Sequence, residues 1–339
     1  MLAACGRRDD VDLVVATPHR GAGAVTQLAG ARLARLVETP RDDQIGLALW
    51  DRHRAGHAFA AAGAQVVIGC KHLVPRTRIP TLLVVHDVLT ITRARENSLA
   101  KRVLLPAQYR RSLTDATRLV AVSEATRSRL AALDPRWAGK CDVVPNGMST
   151  NLTSVAAVAP DGIDGRAFAL VVGDLSPRKN LGALTDLWRD PPAGLLLVVV
   201  GPDSGTDGPV RSALLERERA GTVVWIRGAD DPVLRWCYEQ ANVVLFPTRE
   251  EGFGLPLLEA LTFHAPVVAS DEPALREVAA GDTTVTQVDA DDRDGWRRAI
   301  VAAVAAPRAH TEPALPAGAI TWDEHTERLL AIARAVAAH

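Results

Sequence analysis

The chain has 339 residues, of which 47% are apolar and 23% are charged, and its formal net charge is -1. This length fits two medium-sized domains better than one, and the composition is typical of a globular protein. The near-neutral charge gives no reason to expect nucleic acid or an anionic membrane as an electrostatic partner.

Four cysteines are spread along the chain without C-x-x-C spacing: Cys5, Cys70, Cys141 and Cys237. They indicate neither a zinc site nor a disulfide framework, so we expect free thiols in a reducing compartment. The first residues lack the apolar core of a signal peptide, and no uncharged apolar stretch reaches membrane-spanning length. The sequence therefore predicts a cytoplasmic location.

In the first half of the chain, short runs rich in Val and Leu alternate with longer amphipathic segments. Such nearly continuous apolar runs are typical of parallel strands that are buried on both faces. The predicted strands are Val11–Ala16, Gln65–Gly69, Thr81–His86, Arg118–Val122 and Asp142–Val144. The predicted helices are Gln44–Ala62, Glu96–Ala116 and Glu124–Leu133, the last with Ser123 as its N-cap.

The same alternation restarts in the second half. The predicted strands there are Phe168–Val172, Leu195–Val200, Val223–Arg227, Val243–Phe246, Val267–Ala269 and Thr284–Val288. The predicted helices are Asn180–Trp188, Val210–Ala220, Pro232–Ala241, Pro256–Phe263, Pro273–Ala279, Arg293–Val304 and Trp322–Ala337.

Strands that alternate with helices predict βαβ units and parallel sheets, and eleven strands are too many for one sheet. We therefore predict two doubly wound domains, residues 1–148 and 166–320. Residues 149–165 are predicted as a linker because they are rich in Ser, Thr, Gly, Asp and Pro. Residues 321–339 are predicted as a C-terminal helix that returns towards the N-terminal domain.

The most informative segment is residues 248–259, between a predicted strand and a predicted helix. It places Glu251 and Glu259 on either side of Gly252-Phe253-Gly254. A strand–glycine loop–helix junction leaves N–H groups free at a helix N-terminus, where phosphate binds. The two carboxylates can accept hydrogen bonds from hydroxyls, and Glu259 is expected in the first helical turn. Phosphate and polyol together suggest a nucleotide sugar.

Arg178 and Lys179 follow the strand-end pair Gly173-Asp174, just before a predicted helix. Two cations in this position are suited to neutralise a diphosphate. A solvated basic pair is the alternative interpretation.

His86 ends a predicted strand and is followed by Asp87. It is either a structural residue or a side chain that contacts a sugar hydroxyl near the reacting carbon. Gly201 and Gly228 follow two further strands and are consistent with ordinary turns, although the backbone at Gly228 could line a base pocket.

Several other site classes lack their sequence motifs. There is no G-x-x-x-x-G-K-[ST], no G-x-G-x-x-G after the first strand, and no sequence cluster of His and Asp ligands. The sequence therefore gives no support for a P-loop enzyme, a Rossmann dehydrogenase or a metal hydrolase.

The chain resembles the retaining glycosyltransferases of family 4 (group 1), which have the GT-B fold: α/β, with two doubly wound Rossmann-like domains facing a cleft. The resemblance covers roughly residues 80–339. It is carried by His86-Asp87, Val122–Arg127, Val144–Gly147, Val172–Leu181, Val200–Pro202, Phe246–Glu259 and Ala265–Ser270. The His-Asp strand end and the Pro-Arg-Lys-Asn element are similar to those of mannosyltransferases.

The resemblance implies a role for each matching residue, with Arg178 and Lys179 clamping the diphosphate and His86 near the anomeric centre. Glu251 would hold hydroxyls of the donor sugar, and Glu259 would accept the ribose hydroxyls. Relatives place an arginine at the position of Asp174, which makes Arg178 the favoured clamp here. The remaining donor-binding positions are Gly173, Asp174, Gly228, Gly252, Phe253, Gly254 and Leu255.

The resemblance further implies metal-independent transfer of a hexose, with retention, from a GDP- or UDP-linked donor to an acceptor hydroxyl. No cofactor, metal or nucleic acid is expected. Peripheral membrane contact is expected only if the acceptor is a lipid. The base, the sugar and the acceptor stay open.

The sequence departs from the family in two places. Val11–Ala16 matches the second strand of the family, so the N-terminal domain is expected to lack its first βα unit, about 30 residues, together with the glycine-rich loop. The hinge reads Asn146-Gly-Met-Ser149, without the acidic residue usual there. A late-assigned translation start and an impaired protein are both consistent with the first departure.

These departures keep two other functions open. One is a non-catalytic or impaired nucleotide-sugar-binding protein. The other is a GT-B-fold epimerase or phosphorylase, although the lysine context that binds pyridoxal in a phosphorylase is not found.

Overall fold

The computed structural model describes residues 1–39, 46, 49–93, 99–163, 165–203, 208–306 and 312–338. The chain divides into two compact units. The N-terminal unit comprises Met1–Gly147 and Ile320–His339, and the C-terminal unit comprises Met148–Ala319. The predicted starts of two helices, at Gln44 and Glu96, lie outside the described residues.

The described part of the N-terminal unit contains six strands. They are β1 Leu13–Pro18, β2 Leu33–Thr39, β3 Val67–Gly69, β4 Thr81–Val85, β5 Arg118–Ala121 and β6 Cys141–Val143. Its first helices are α1 Leu2–Gly6, α2 Ala22–Ala29, α3 Gly56–Ala61, α4 Leu89–Thr92, α5 Leu99–Asp115, α6 Glu124–Leu133 and α7 Pro135–Ala138. A π-helical segment, Asp51–Ala55, leads into α3.

These six strands form two sheets within the described residues. One is a four-stranded parallel sheet in the order β3-β4-β5-β6, and the other is a two-stranded parallel sheet of β1 and β2. The predicted strand Val11–Ala16 is found as β1, shifted by two residues. Strand β2 was not predicted, because the exposed charged residues Arg35 and Glu38 interrupt its apolar pattern.

The core of the four-stranded sheet packs against α5 and α6. Every residue of β4 is buried, and Tyr109 and Leu113 of α5 are fully buried beside it. Helix α6 begins where the sequence predicts, because the Ser123 hydroxyl accepts a hydrogen bond from the Thr126 N–H at 3.0 Å.

The C-terminal unit has six strands in the described residues: β7 Phe168–Val172, β8 Leu196–Val200, β9 Val223–Ile226, β10 Val243–Phe246, β11 Val267–Ser270 and β12 Val285–Val288. Its helices are α8 Thr150–Ser154, α9 Leu181–Leu187, α10 Gly208–Arg219, α11 Asp231–Gln240, α12 Leu255–Thr262, α13 Pro273–Val278 and α14 Arg293–Ala305. Helix α8 lies in the segment predicted as a linker.

All six strands form one parallel sheet in the order β12-β11-β10-β7-β8-β9. This is the doubly wound order of a Rossmann-like domain, and the predicted α/β class is confirmed. Strands β8 and β10 are buried at every residue. Three buried tryptophans, Trp188, Trp225 and Trp296, fill the core with the sheet residues.

The last helix, α15 Trp322–Ala337, belongs to the N-terminal unit. It starts with a capping box formed by Thr321 and Glu324. The ring of His325 then donates from Nδ1 to the Pro145 carbonyl oxygen at 2.7 Å, and Asp323 forms a 2.6 Å ion pair with Arg7. Among the described helices, none is both long and apolar enough to cross a membrane.

Candidate functional site

The strand order of the C-terminal unit defines where a ligand crevice forms. Strands β7 and β10 are neighbours, but the chain leaves β7 towards β8 on one side and β10 towards β11 on the other. Ligands of doubly wound sheets bind at such a switch point, outside the carboxyl ends of the strands. The loops that leave there are residues 173–180 after β7 and residues 247–254 after β10.

The loop after β7 presents the two predicted cations. Pro177–Lys179 form a single 3₁₀ turn, and Asn180 follows in the left-handed region at φ 53°. Asn is among the residues that tolerate this conformation best, and its side-chain amide donates to the Ala290 carbonyl oxygen at 3.2 Å. The turn thereby fixes the direction in which Arg178 and Lys179 leave the backbone.

Glu251, from the loop after β10, binds both cations through one oxygen. Its Oε2 is 2.6 Å from Lys179 Nζ and 3.1 Å from Arg178 Nη1. Burial alone would raise the pKa of Glu251, but the charges of Lys179 and Arg178 outweigh it and hold the pKa below its usual value. The structure thus brings Glu251, which the sequence analysis assigned to the donor sugar, into contact with the two cations that it assigned to the diphosphate.

Asp174 lies beside the same cations. Burial raises the pKa of Asp174. Hydrogen bonds from Ser176 and the charges of Arg178 and Lys179 lower it by more than burial raises it, so the pKa lies below its usual value. Its Oδ2 is 3.9 Å from Arg178 Nη2, which is longer than the Glu251 contacts. Asp174 therefore holds the turn through Ser176 and contributes negative charge at the edge of the cation pair.

Backbone contacts join the two loops directly. The Arg178 carbonyl oxygen accepts from the Thr248 hydroxyl at 2.9 Å and from the Arg249 N–H at 2.8 Å. Thr248 is itself buried, and Ser270 donates to its carbonyl oxygen. The sequence analysis included Thr248 and Ser270 in matching segments but gave neither a role, because nothing in the local pattern shows that Thr248 contacts a loop 70 residues away or that Ser270 supports it.

Glycine is required at two positions of this crevice. A Cβ on Gly201, at the end of β8, would lie 1.9 Å from the carbonyl oxygen of Gly173, at the end of β7. Gly254 has φ 104° and precedes α12, where a Cβ would lie 2.7 Å from Leu275 Cδ2. The predicted glycines therefore allow two strand ends and a helix start to approach closely.

The segment between the two glutamates is largely buried. Gly252 and Phe253 are both buried, and the Gly252 N–H donates to Glu251 Oε1 at 3.3 Å. Leu255 is the first residue of α12. The N-terminus of this helix is thus on the same loop as Glu251, as the sequence predicts.

Glu259 is the fifth residue of α12, which begins one residue earlier than predicted, so it lies just beyond the first turn in which it was expected. The helix dipole gives little help to a carboxylate there. Burial raises the pKa of Glu259 to about 7, although a 2.7 Å hydrogen bond from the Tyr238 hydroxyl opposes the shift. Tyr238 comes from α11, and the sequence analysis did not identify it.

Gly228 is the remaining residue that was predicted to contact the donor. It follows β9 at the edge of the sheet, and a Cβ added there would meet open space. Its role in a base pocket stays a prediction. In the part of the chain that the structure describes, no three His, Cys, Asp or Glu side chains are grouped as metal ligands.

His86 lies in the N-terminal unit, whereas the other predicted site residues lie in the C-terminal unit. It follows β4, and its Nε2 donates to the Cys70 carbonyl oxygen at 3.2 Å. Burial lowers the pKa of His86, so the ring is neutral near pH 7. The next residue, Asp87, accepts from the Tyr109 hydroxyl through its backbone oxygen at 2.6 Å.

Two family profiles match the chain, one on each half. Residues 1–152 match the profile described as Glycosyltransferase Family 4, and residues 159–310 match the profile described as Glycosyl transferases group 1.

Curated relatives include D-inositol 3-phosphate glycosyltransferase of Segniliparus rotundus. It is 30% identical over 242 residues, which is 66% of this chain and 53% of the relative. O-antigen chain mannosyltransferase B of Escherichia coli is 26% identical over 206 residues, 57% of this chain and 53% of the relative. The matched part spans about half the length of these relatives.

Solved structures show the same fold at lower identity. HepE of Anabaena in complex with UDP and glucose matches with a TM-score of 0.64 and 16% identity, covering 90% of this chain and 85% of that one. Sucrose-phosphate synthase of Thermosynechococcus elongatus matches with a TM-score of 0.61 and 19% identity, covering 89% and 80%. The fold is that of the GT-B glycosyltransferases, and the chain belongs to glycosyltransferase family 4, group 1.

Proposed function

We propose that this chain transfers a hexose from a nucleoside-diphosphate sugar to an acceptor hydroxyl, with retention of anomeric configuration and without a metal ion. The observation that carries the proposal is the pair of cations at the switch point of the sheet, both held by Glu251. Such a crevice is where nucleotides bind in doubly wound domains. Family membership and the names of the relatives point the same way.

The cation pair accounts for departure of the nucleoside diphosphate. Arg178 and Lys179 carry two positive charges, which Glu251 and, at a longer distance, Asp174 balance in the free protein. Fixed cations in a partly buried site stabilise the negative charge that develops on a leaving group. In this proposal they do the work that a metal ion does in other transferases.

The two glutamates have different environments and are proposed to do different work. Glu251 is ionised and tied to the cations, so it positions them and faces the donor sugar across Gly252. Glu259 accepts a 2.7 Å hydrogen bond from the Tyr238 hydroxyl, and it is proposed to accept the ribose hydroxyls as well. Ionised Glu259 accepts these hydrogen bonds best, so donor affinity is expected to fall as the pH drops below about 7.

Other parts of the proposal rest on the relatives. A GDP-linked or UDP-linked hexose is proposed as donor, in line with the mannosyltransferase relative and with UDP in the HepE structure. The acceptor is proposed to attack from the face that the diphosphate leaves, and His86 keeps the catalytic role that the family resemblance implies. If the acceptor is a lipid, the protein is proposed to contact the membrane peripherally. We propose a cytoplasmic location, in line with the four free thiols.

The test is a panel of nucleotide sugars, including UDP-glucose and GDP-mannose, followed by mass spectrometry with EDTA present. Transfer to any acceptor, or slow donor hydrolysis, is expected. The anomeric configuration of the product, read by NMR, tests retention. Tight nucleotide binding with no turnover across the panel would instead identify a binding protein.

Lys179→Ala tests the site assignment. Removing one fixed charge on the leaving group is expected to lower kcat by about 100-fold or more. Because the change also leaves Glu251 buried with one partner fewer, Lys179→Met combined with Glu251→Gln separates catalysis from folding. Arg211→Ala, which removes an exposed ion pair with Asp203 in the same unit, is the control. Unchanged turnover in both Lys179 variants would reject the assignment.

A further inference from the structure

Tyr238 places a buried hydroxyl directly behind the carboxylate of Glu259. The tyrosine belongs to α11 and is 0% exposed. Its hydroxyl donates to Glu259 Oε2, on α12, at 2.7 Å. Glu259 is only partly buried, so this pair of side chains runs from the interior of the C-terminal unit to its surface. A buried donor behind a partly exposed carboxylate is the arrangement that orients a ligand-binding side chain.

The hydroxyl of Tyr238 is held in place independently of Glu259. The tyrosine ring stacks on the ring of Phe263, directly after α12, with centroids 5.8 Å apart and an interplanar angle of 5°. The hydroxyl is also 3.3 Å from the carbonyl oxygen of Pro256, in the first turn of α12. One side chain thus contacts the start, the middle and the end of the helix that carries Glu259, and packing sets where its hydroxyl lies.

Burial also makes Tyr238 a constant hydrogen-bond donor. It raises the pKa of Tyr238 well above its usual value, so the hydroxyl keeps its proton. An ionised carboxylate accepts only, and it offers about four lone-pair positions. The hydrogen bond from Tyr238 uses one position and fixes the plane of the carboxylate, while further positions can accept the two neighbouring hydroxyls of a ribose.

We propose that Tyr238 is a positioning residue for donor recognition, which orients the Glu259 carboxylate towards the ribose hydroxyls of the nucleoside diphosphate. The inference rests on the proposed function, in which Glu259 accepts these hydroxyls. It makes the buried tyrosine responsible for selectivity towards nucleotides with a 2′,3′-diol. Loss of the Tyr238 hydroxyl therefore weakens the binding of ribonucleotides and spares nucleotides that lack one of the two ribose hydroxyls.

The same hydrogen bond shapes how binding depends on pH. Burial and the charge of Asp231, on α11, raise the pKa of Glu259, and the Tyr238 hydroxyl lowers it. Removing the hydroxyl removes the influence that favours the ionised carboxylate, so the pKa of Glu259 rises further. Ribonucleotide affinity should then begin to fall at a higher pH in Tyr238→Phe than in the unmodified protein as the solution is acidified.

The experiment is Tyr238→Phe, which deletes the hydroxyl and keeps the ring that stacks on Phe263. Isothermal titration calorimetry at about pH 8, where Glu259 is ionised, measures the affinity for UDP, GDP and their 2′-deoxy and 3′-deoxy counterparts. The unmodified protein should bind the ribonucleotide more tightly than its deoxy counterparts. In Tyr238→Phe, we expect ribonucleotide affinity to fall by about three- to tenfold and deoxynucleotide affinity by less than about twofold, because one oriented hydrogen-bond acceptor is lost.

Two variants separate positioning from packing. In a Glu259→Gln background, Tyr238→Phe should cause no further loss of affinity, because there is no carboxylate left to orient. A loss of equal size in that background would show that Tyr238 acts through the packing of α12, and it would overturn the proposal. Tyr109→Phe removes the hydroxyl of the chain's other tyrosine, which is also buried, and is the matched control. It should leave nucleotide affinity unchanged.

Failure of this inference and failure of the proposed function give different results. Equal ribonucleotide affinity in the unmodified protein and in Tyr238→Phe overturns the inference and leaves the donor site in place. Absence of nucleotide binding by the unmodified protein overturns both. The expected selectivity without turnover supports the inference and rejects sugar transfer. Where transfer is measured, Tyr238→Phe should raise the KM of the donor and leave kcat nearly unchanged.

Discussion

The two units use the same parallel α/β plan but differ in the continuity of their sheets. In the C-terminal unit, six strands form one sheet, and strands β8 and β10 are buried at every residue. In the N-terminal unit the described strands form two sheets, and β1 is only partly buried along its whole length.

This difference shows what a continuous sheet contributes to a binding site. Neighbouring strands β7 and β10 place two loops from distant parts of the sequence within hydrogen-bonding distance, and Glu251 meets Arg178 and Lys179 as a result. In the N-terminal unit, β1 and β3 belong to different sheets within the described residues, and both line a cavity of about 1220 Å³. We therefore expect the C-terminal unit to tolerate less change at its strand ends.

The largest effect is expected from adding one methyl group at such a strand end. Gly201→Ala would place a Cβ 1.9 Å from the Gly173 carbonyl oxygen, so the ends of β7 and β8 must separate. The expected cost is about 3 kcal/mol of unfolding free energy. Gly23→Ala in α2 has open space around its Cβ and should stabilise the N-terminal unit by about 0.5–1 kcal/mol. Hydrogen exchange in increasing urea measures each unit separately.

A matched pair of valines tests burial in the two sheets. Val199 of β8 is fully buried, whereas Val15 of β1 is partly buried beside the cavity. Val199→Ala should cost about 2–3 kcal/mol, and Val15→Ala under about 1 kcal/mol, because less apolar surface is lost and no new enclosed space forms. Equal losses of unfolding free energy in the two variants would show that β1 is as well packed as β8. That result would contradict the difference in packing between the two sheets.

The two units should also respond to pH in opposite directions. In the C-terminal unit, burial raises the pKa of Glu259 from 4.5 to about 7, so the folded unit binds more protons between these values. Its stability should fall by about 2–3 kcal/mol as the pH rises through that range. In the N-terminal unit, burial lowers the pKa of His72, His86 and His325 from 6.5, so its stability should fall as the pH drops below 6.5.

Glu259→Gln is the control for this prediction. It should flatten the pH dependence of the C-terminal unit between about pH 5 and pH 7 and leave that of the N-terminal unit intact. The carboxyls of Glu251 and Asp174, whose pKa values are lowered, titrate below this range. An unchanged pH profile in Glu259→Gln would show that the Glu259 carboxyl is solvated.

Most of the C-terminal unit could be predicted from sequence, because most of its strands are apolar on both faces and its helices begin at recognisable residues. Phe168–Val172 and Val243–Phe246 were predicted to the residue. Strand β2 could not be predicted, because charged residues, Arg35 and Glu38, interrupt its apolar pattern and are both exposed. Its apolar pattern is too short to distinguish from a loop.

For the candidate site, the sequence identified the charged residues but not their pairing. Arg178, Lys179 and Glu251 were each assigned from local motifs, and their contact depends on strand order, which local patterns do not contain. Tyr238 carries no motif and contacts Glu259 only because α11 packs beside α12. The predicted first-turn position of Glu259 failed because the helix starts at Leu255, one turn before it.

The shared carbonyl of Arg178 has a consequence for protein engineering. Thr248 and the backbone of Arg249 both donate to it, so the turn at residues 177–180 and the loop at residues 248–251 hold one another in place. A chimera that takes only one of these segments from a relative would combine two segments whose contacting residues come from different proteins. Donor preference in this family should therefore be exchanged by grafting both segments together, with Ser270, which donates to the Thr248 carbonyl, kept as their common support.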